Sequence, residues 1–169
     1  MKKSSPVETP ILFAGALYSK PDYFKTAREQ LITQFGNIFM ESPEMPFNYS
    51  DYYKEELGGP IIRKFIFFAD KIDPLRLPDI KLITSNLEEQ LSSNGRRNIN
   101  LDPGYMTLSK VVLASKKNYS HRLYIGKGIF AEVTLLHLKG KYRPHLFTYR
   151  DYASDEYAAI FAEAREFLK

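Results

Sequence analysis

The sequence predicts an α+β domain: a ferredoxin-like (split βαβ) antiparallel sheet with helices on one face, plus an added C-terminal hairpin and helix. Three observations predict it. Short apolar runs of strand length alternate with segments whose apolar residues recur at helical spacing. Their order over residues 11–115 is strand, helix, strand, strand, helix, strand, which is the split βαβ order. Right-handed crossovers would then bring both helices to one face. A length of 169 residues fits one domain, 1–169.

Ile11 to Tyr18 reads as the first buried strand, after a lead-in over residues 1–9. Met1-Lys2-Lys3 ahead of Ile11–Ala16 loosely imitates a secretory signal, but Pro6, Glu8 and Pro10 interrupt it. The expectation is a cytoplasmic protein. Ser19 reads as a helix cap with Asp22 closing a capping box. Phe24, Ala27, Leu31 and Phe35 form the stripe of that helix, and Gly36 stops it. Ile38–Phe47 is extended but broken by Pro43 and Pro46, and residues 48–60 form a tyrosine-rich loop. Ile61–Ala69 is a strong strand. Ile80, Ile83, Leu87 and Leu91 mark a second helix that leaves at Asn94-Gly95. The next strand, Ile99–Ser115, is interrupted at Asp102-Pro103-Gly104-Tyr105. Pro followed by Gly there suits a type II turn. His121–Ile125 and Ile129–Leu138 form a hairpin closed by Gly126-Lys127-Gly128. Ser154 caps a last helix with the stripe Tyr157, Phe161, Ala164 and Leu168.

Composition removes several chemistries. Zero cysteines exclude a disulfide scaffold, a thiolate metal site and a cysteine nucleophile. No apolar run approaches the ~20 residues that cross a bilayer, so no membrane partner is expected. The net charge of +4 conceals a strong asymmetry. Residues 96–150 carry eleven Lys/Arg against only Asp102 and Glu132, together with all three histidines. The flanking segments are acidic. A field of one sign attracts phosphates or nucleic acid, although a solvated basic face reads the same way.

Common nucleotide and metal signatures are missing. A P-loop needs Gly-x4-Gly-Lys-Ser/Thr, whereas Gly126-Lys127-Gly128 lacks spacing and hydroxyl, and Gly140-Lys141 precedes Tyr142. Lys127-Gly128-Ile129-Phe130-Ala131-Glu132-Val133 approaches an RNA-stacking strand, but Ile129 and Ala131 occupy the aromatic positions. The spacing of His121, Glu132, His137 and His145 matches no metal motif, so no metal is assigned and the cofactor is unknown.

The remaining constellation is distributed. Glu132 interrupts an apolar two-sided strand and needs a partner, because an unpaired buried charge is very costly. Arg122 is the nearest candidate and Lys110 the next. Either such a pair holds the sheet together, or Glu132 is a carboxylate poised in a basic cleft. Asp102 is either a turn residue or the rim of a site with Asn100 and Tyr105 beside it. His121-Arg122 after Lys116-Lys117 places a titratable group beside fixed positive charge, apt for a base or for phosphate contact. Asp151 reads as a turn or cap residue before the last helix.

Asn100-Leu101-Asp102-Pro103-Gly104-Tyr105 with Lys110-Val111-Val112-Leu113-Ala114-Ser115, His121-Arg122-Leu123-Tyr124, Gly128–Leu135 and Tyr149-Arg150-Asp151-Tyr152 resemble the signature of a bacterial family catalogued as domain of unknown function 4416. The resemblance runs over nearly the whole chain and implies no established activity. Its signature residues coincide with the basic segment.

The functional expectation is a soluble protein that binds, and could act on, a phosphate-bearing small molecule or nucleotide on the 98–138 strands. Glu132, His121 and Asp102 are the catalytic candidates. Lys110, Arg122, Lys116 and Lys117 are the anion-binding candidates. The alternatives are a non-enzymatic RNA-binding or ribosome-associated module, and a protein-binding adaptor using the tyrosine-rich loop.

Overall fold

The computed structural model describes residues 6–169. The lead-in expected over residues 1–9 lies partly outside that range. Residues 6–10 run irregularly into β1 (Ile11–Tyr18), where all eight residues are buried. The remaining elements are α1 (Pro21–Phe35), β2 (Ile38–Glu41), β3 (Met45–Pro46), the one-turn α2 (Lys54–Leu57), β4 (Ile62–Lys71), α3 (Leu77–Gln90), β5 (Ile99–Met106), β6 (Lys110–Ser115), β7 (Leu123–Gly126), β8 (Ile129–Leu138), β9 (Lys141–Arg143) and α4 (Asp155–Glu166). The result is a mixed α+β fold built on one large antiparallel sheet.

The main path of that sheet runs β2-β4-β1-β5-β6-β8-β7, with β3 added to β4 and β9 to β8. Alternation along β1 separates two cores. Leu12, Ala14, Ala16 and Tyr18 meet Phe24, Ala27 and Leu31 of α1 and Ile80 and Leu87 of α3 on one face. Ile11 and Phe13 meet Phe65, Phe67 and the α4 residues Tyr157, Ile160 and Phe161 on the other. The central β1 is therefore apolar throughout, as a strand covered on both faces must be.

Two local readings need correction. Ser19 does not cap α1: its hydroxyl donates to the Leu57 carbonyl, and Pro21 starts the helix without a side-chain cap. Asp102-Pro103-Gly104 is not a turn. β5 runs straight through it, and the chain reverses at residues 107–109, where the Thr107 N–H donates to the Lys110 carbonyl at 2.9 Å. Gly104 is absent from the positive-φ glycines, so its φ does not need glycine. A Cβ there would overlap the Val112 carbonyl and the Phe13 ring. The glycine serves close packing of the β5–β6 pair over Phe13.

That pair is short. β5 matches β1 from Ile99 to Met106, but it matches β6 only at Gly104, Tyr105 and Met106. Leu101 has no strand beyond it, and its backbone is satisfied from α3: the N–H donates to Glu88 Oε1, and the carbonyl accepts from Lys81 Nζ at 3.0 Å. Pro103 points its backbone the same way by alternation and has no N–H to satisfy. The sheet opens between β5 and β6 at this point. Burial raises the Glu88 pKa, against the opposing pull of Lys81, the Leu101 N–H and Arg97.

Gly104→Ala should destabilise the fold by about 1–3 kcal/mol through overpacking, measured by urea denaturation, and an unchanged midpoint would refute the packing role. Glu88 has a folded pKa above its unfolded value, so the stability linked to its neutral form is lost as pH rises from the ordinary carboxylate range through that raised pKa. Glu88→Gln keeps an acceptor for Leu101. Its Tm relative to wild type should increase as pH rises from the ordinary carboxylate range.

Candidate functional site

The opening in the sheet leads into two adjoining cavities, of about 420 Å³ and about 490 Å³. Both are lined by Tyr52, Tyr53, Asp102, Ser115, Lys117 and Tyr149. The first is strongly aromatic, with Phe47, Tyr49, Tyr119 and Tyr152 added to those tyrosines. The second reaches toward α3 at Ser85 and Glu88 and includes Arg97 and Lys116. The tyrosine-rich loop, read from sequence as an adaptor contact, forms a wall of both cavities. Arg97 holds it there, donating to Glu56 Oε1 and Oε2 at 2.8 and 2.7 Å and to Asn100 Oδ1 at 2.7 Å.

Two buried arginines frame the first cavity. Arg63 lies on β4 in the same row as Phe65 and Phe67, and only 3% of its side chain is exposed. Gly15 on the neighbouring β1 leaves the room it occupies, since a Cβ there would stand 2.8 Å from Arg63 Nη1. The guanidinium passes over Gly15 to Asp102 Oδ2 on β5 (3.4 Å) and reaches Asp151 Oδ2 from the segment before α4 (3.0 Å). Burial opposes the charge on Arg63, but Tyr152 and the two carboxylates more than compensate, so its pKa is raised. Asp151 is pushed up by burial against the pull of Arg63. The cap reading of Asp151 holds only for its backbone, whose carbonyl accepts from Ser154. Its carboxylate is an ion-pair partner. Sequence offered a signal for this: an arginine in the row of buried phenylalanines needs a buried acid.

The second frame is centred on Arg122, whose side chain is 1% exposed. Its Nε donates to Glu132 Oε2 at 2.6 Å, Nη1 to Ser115 Oγ at 2.8 Å and the Lys117 carbonyl at 3.0 Å, and Nη2 to the Tyr149 hydroxyl. Burial works against this cation, and Glu132 holds its pKa up. Glu132 also meets His121 Nε2 at 3.1 Å and accepts from Thr134 Oγ1 at 3.2 Å. A bulge in β8 makes that last contact. Val112 pairs with Val133 while Val111 pairs with Leu135, so Thr134 is the extra residue. Leu135 therefore joins the face of Glu132 instead of alternating with it. The carbonyls of Val133 and Thr134 are taken by His145 Nε2 and the Thr148 hydroxyl. Those bonds anchor the segment that brings Tyr149 to Arg122. Phe147 stacks parallel on His121 at 4.8 Å.

The structure places the expected residues unequally. Asp102, Arg122, Glu132 and Lys117 line the first cavity, and Asp102, Lys116 and Lys117 line the second. His121 joins through Glu132 without lining either. Lys110 is not brought there. It starts β6 opposite Leu136, five residues and roughly 17 Å from Ser115. Tyr105 lines neither cavity, and alternation turns it to the face opposite Asp102, against the Leu77 cluster. His137 packs on Tyr142, and His145 is bound to the backbone of β8. Among the described residues no three His, Asp or Glu side chains form a metal-binding group.

With both arginines committed internally, the cations left for a ligand are Lys116, Lys117 and Arg150, none of which pairs with a carboxylate among the described residues. Lys117 Nζ lies 5.0 Å over the Tyr52 ring. Aromatic walls and unpaired lysines at one opening can take a planar ring that carries an anionic group.

No helix among the described residues is long and apolar enough to cross a membrane. A family model described as Domain of unknown function (DUF4416) matches residues 8–167. Searches of curated proteins and of solved structures found no match.

Arg122→Met should cost about 3–5 kcal/mol, because it strands a buried carboxylate. Combining it with Glu132→Leu should recover part of that loss, measured as a double-mutant cycle in urea. Strict additivity would contradict a direct structural pair.

Proposed function

Because the chain belongs to the DUF4416 family over nearly its whole length, a family without an assigned chemistry, we propose from the site itself that the protein binds a phosphate-bearing small molecule of nucleotide type. The observation that carries this reading is the tyrosine-walled cavity of about 420 Å³ with Lys117 and Arg150 among its lining residues and Lys116 beside it. The rings would sandwich a planar group. The lysines would attract phosphate, which they bind as flexible point charges. Arg122 and Glu132 then shape the wall and do not contact phosphate directly. His121, held by Glu132, and Asp102 remain the groups able to move a proton if the ligand reacts. A cytoplasmic location accords with such a ligand.

The ferredoxin-like reading of the β1–β5 region is part of the same proposal. Its support is the sheet order β2-β4-β1-β5 with α1 and α3 on one face, the arrangement that split βαβ units take.

A specific observation favours RNA as a second reading. Lys110, Arg143 and Lys141 lie along the cross-strand pairs Lys110–Leu136, Leu136–Arg143 and Leu138–Lys141, away from the cleft. Binding there would weaken with salt at a log–log slope near −0.7 per phosphate. Fluorescence anisotropy with a single-stranded oligonucleotide measures that slope.

A thermal-shift screen of nucleoside diphosphates tests the main reading. A ligand at 100 times its Kd adds about 2.7 kcal/mol, roughly 5–10 °C in Tm at this size. Replacing Lys116 and Lys117 by alanine should abolish the shift while changing the stability of the free protein by only about 0.5 kcal/mol. A panel without any shift, or a shift unaffected by the double variant, would overturn the reading.

A further inference from the structure

Resting on the nucleotide reading above, we propose that Asp102 is the residue that recognises the sugar hydroxyls, so that the cleft selects ribonucleotides over 2′-deoxyribonucleotides. Asp102 lines both cavities and stands where one passes into the other. About a quarter of its side chain is exposed, 27%. Both internal donors fall on the same oxygen: Arg63 Nη1 reaches Oδ2 at 3.4 Å and Asn100 Nδ2 reaches it at 2.9 Å. Oδ1 has no hydrogen-bond partner among the described residues. A carboxylate only accepts when ionised, so this oxygen leaves acceptor capacity unused on a partly exposed side chain that lines both cavities. β5 presents it there because β6 no longer pairs beyond Gly104.

The surroundings decide which donor it would take. Lys116 and Lys117, which pair with no carboxylate among the described residues, line these cavities and disfavour a ligand ammonium. The donor is then a neutral hydroxyl or amide. Its position selects the hydroxyl. Tyr49 and Tyr119 line only the first cavity, and Tyr52, Tyr53 and Tyr149 line both. Of the cations without a carboxylate partner among the described residues, Arg150 lines the first, Lys116 the second and Lys117 both, and Asp102 lies in both. Ring, hydroxyl and phosphate occur in that order along a nucleotide, with the ribose in the middle. Acidic side chains read ribose hydroxyls in the same way in dinucleotide-binding folds. The base would lie among the tyrosines, the ribose on Asp102 and the phosphates toward Lys116.

Isothermal titration calorimetry of the full chain with ADP, GDP and UDP, each beside its 2′-deoxy form, tests this. Losing a hydrogen bond to a charged acceptor should cost tenfold or more in affinity, so the wild-type protein should bind the ribo form of its preferred base at least about tenfold tighter. Asp102→Asn should bring the two forms within about threefold. Wild-type binding of both forms within threefold would overturn the role of Asp102 and leave the nucleotide reading standing, as would an unchanged ratio in the variant. If no diphosphate of either sugar binds, the nucleotide reading fails and this inference fails with it. A wild-type ratio within threefold overturns the proposal whether or not the variant folds.

Discussion

Leu101 has a strand partner on one side only, and most of the site follows from how that vacancy is managed. An unpaired backbone amide and carbonyl in the interior would each cost a lost hydrogen bond. Here Glu88 and Lys81 of α3 take the place of a neighbouring strand, and Pro103 removes the next N–H that would need one. The sheet can therefore part between β5 and β6 without leaving orphans at Leu101. The gap exposes Asp102, which a fully paired strand would have kept against β6. It also explains two buried charges on α3, Lys81 and Glu88, that no apolar stripe would call for.

The walls of the gap depend on two arginines used as internal struts. Arg63 crosses three strands because Gly15 has no side chain, tying β4 to β5 and to the segment before α4. Arg122 ties the start of β7 to β8, to the end of β6 and to Tyr149. Each guanidinium is matched to carboxylates, so neither adds free positive charge to the cavity. The basic segment accordingly divides into separate uses. Arg97 anchors the tyrosine loop on Glu56. Lys127 closes on Asp79. Lys110, Lys141 and Arg143 lie on another part of the sheet. Lys116, Lys117 and Arg150 are left near the opening, and they carry the electrostatic case for an anionic ligand.

Much of the fold was legible because hydrophobic periodicity and turn chemistry are local. β1 and β8 have the boundaries their apolar runs imply, and Ser154 caps α4 as its position suggests. The Glu132–Arg122 contact was legible too, since hairpin register places the two opposite each other. What could not be read depends on distant neighbours. Pro103-Gly104 has turn chemistry, yet Phe13 and Val112 make the glycine a packing requirement within a strand. The β8 bulge has no sequence signal, and it reverses the face of Leu135. The role of the tyrosine loop needed the position of Arg97, and the exclusion of Lys110 needed the length of β6. Charge counting could locate a basic segment but could not tell struts from contacts.

The proposed phosphate-bearing ligand would bind at the parted sheet and not on the basic β8–β9 face. Backbone amide chemical shifts followed during titration with a nucleoside diphosphate test this most directly. The largest changes are expected at Asp102, Ser115, Lys116, Lys117 and Tyr149, with Lys139, Lys141 and Arg143 unmoved. Changes confined to Lys110 and the Lys139–Arg143 hairpin, with the cleft amides silent, would contradict it.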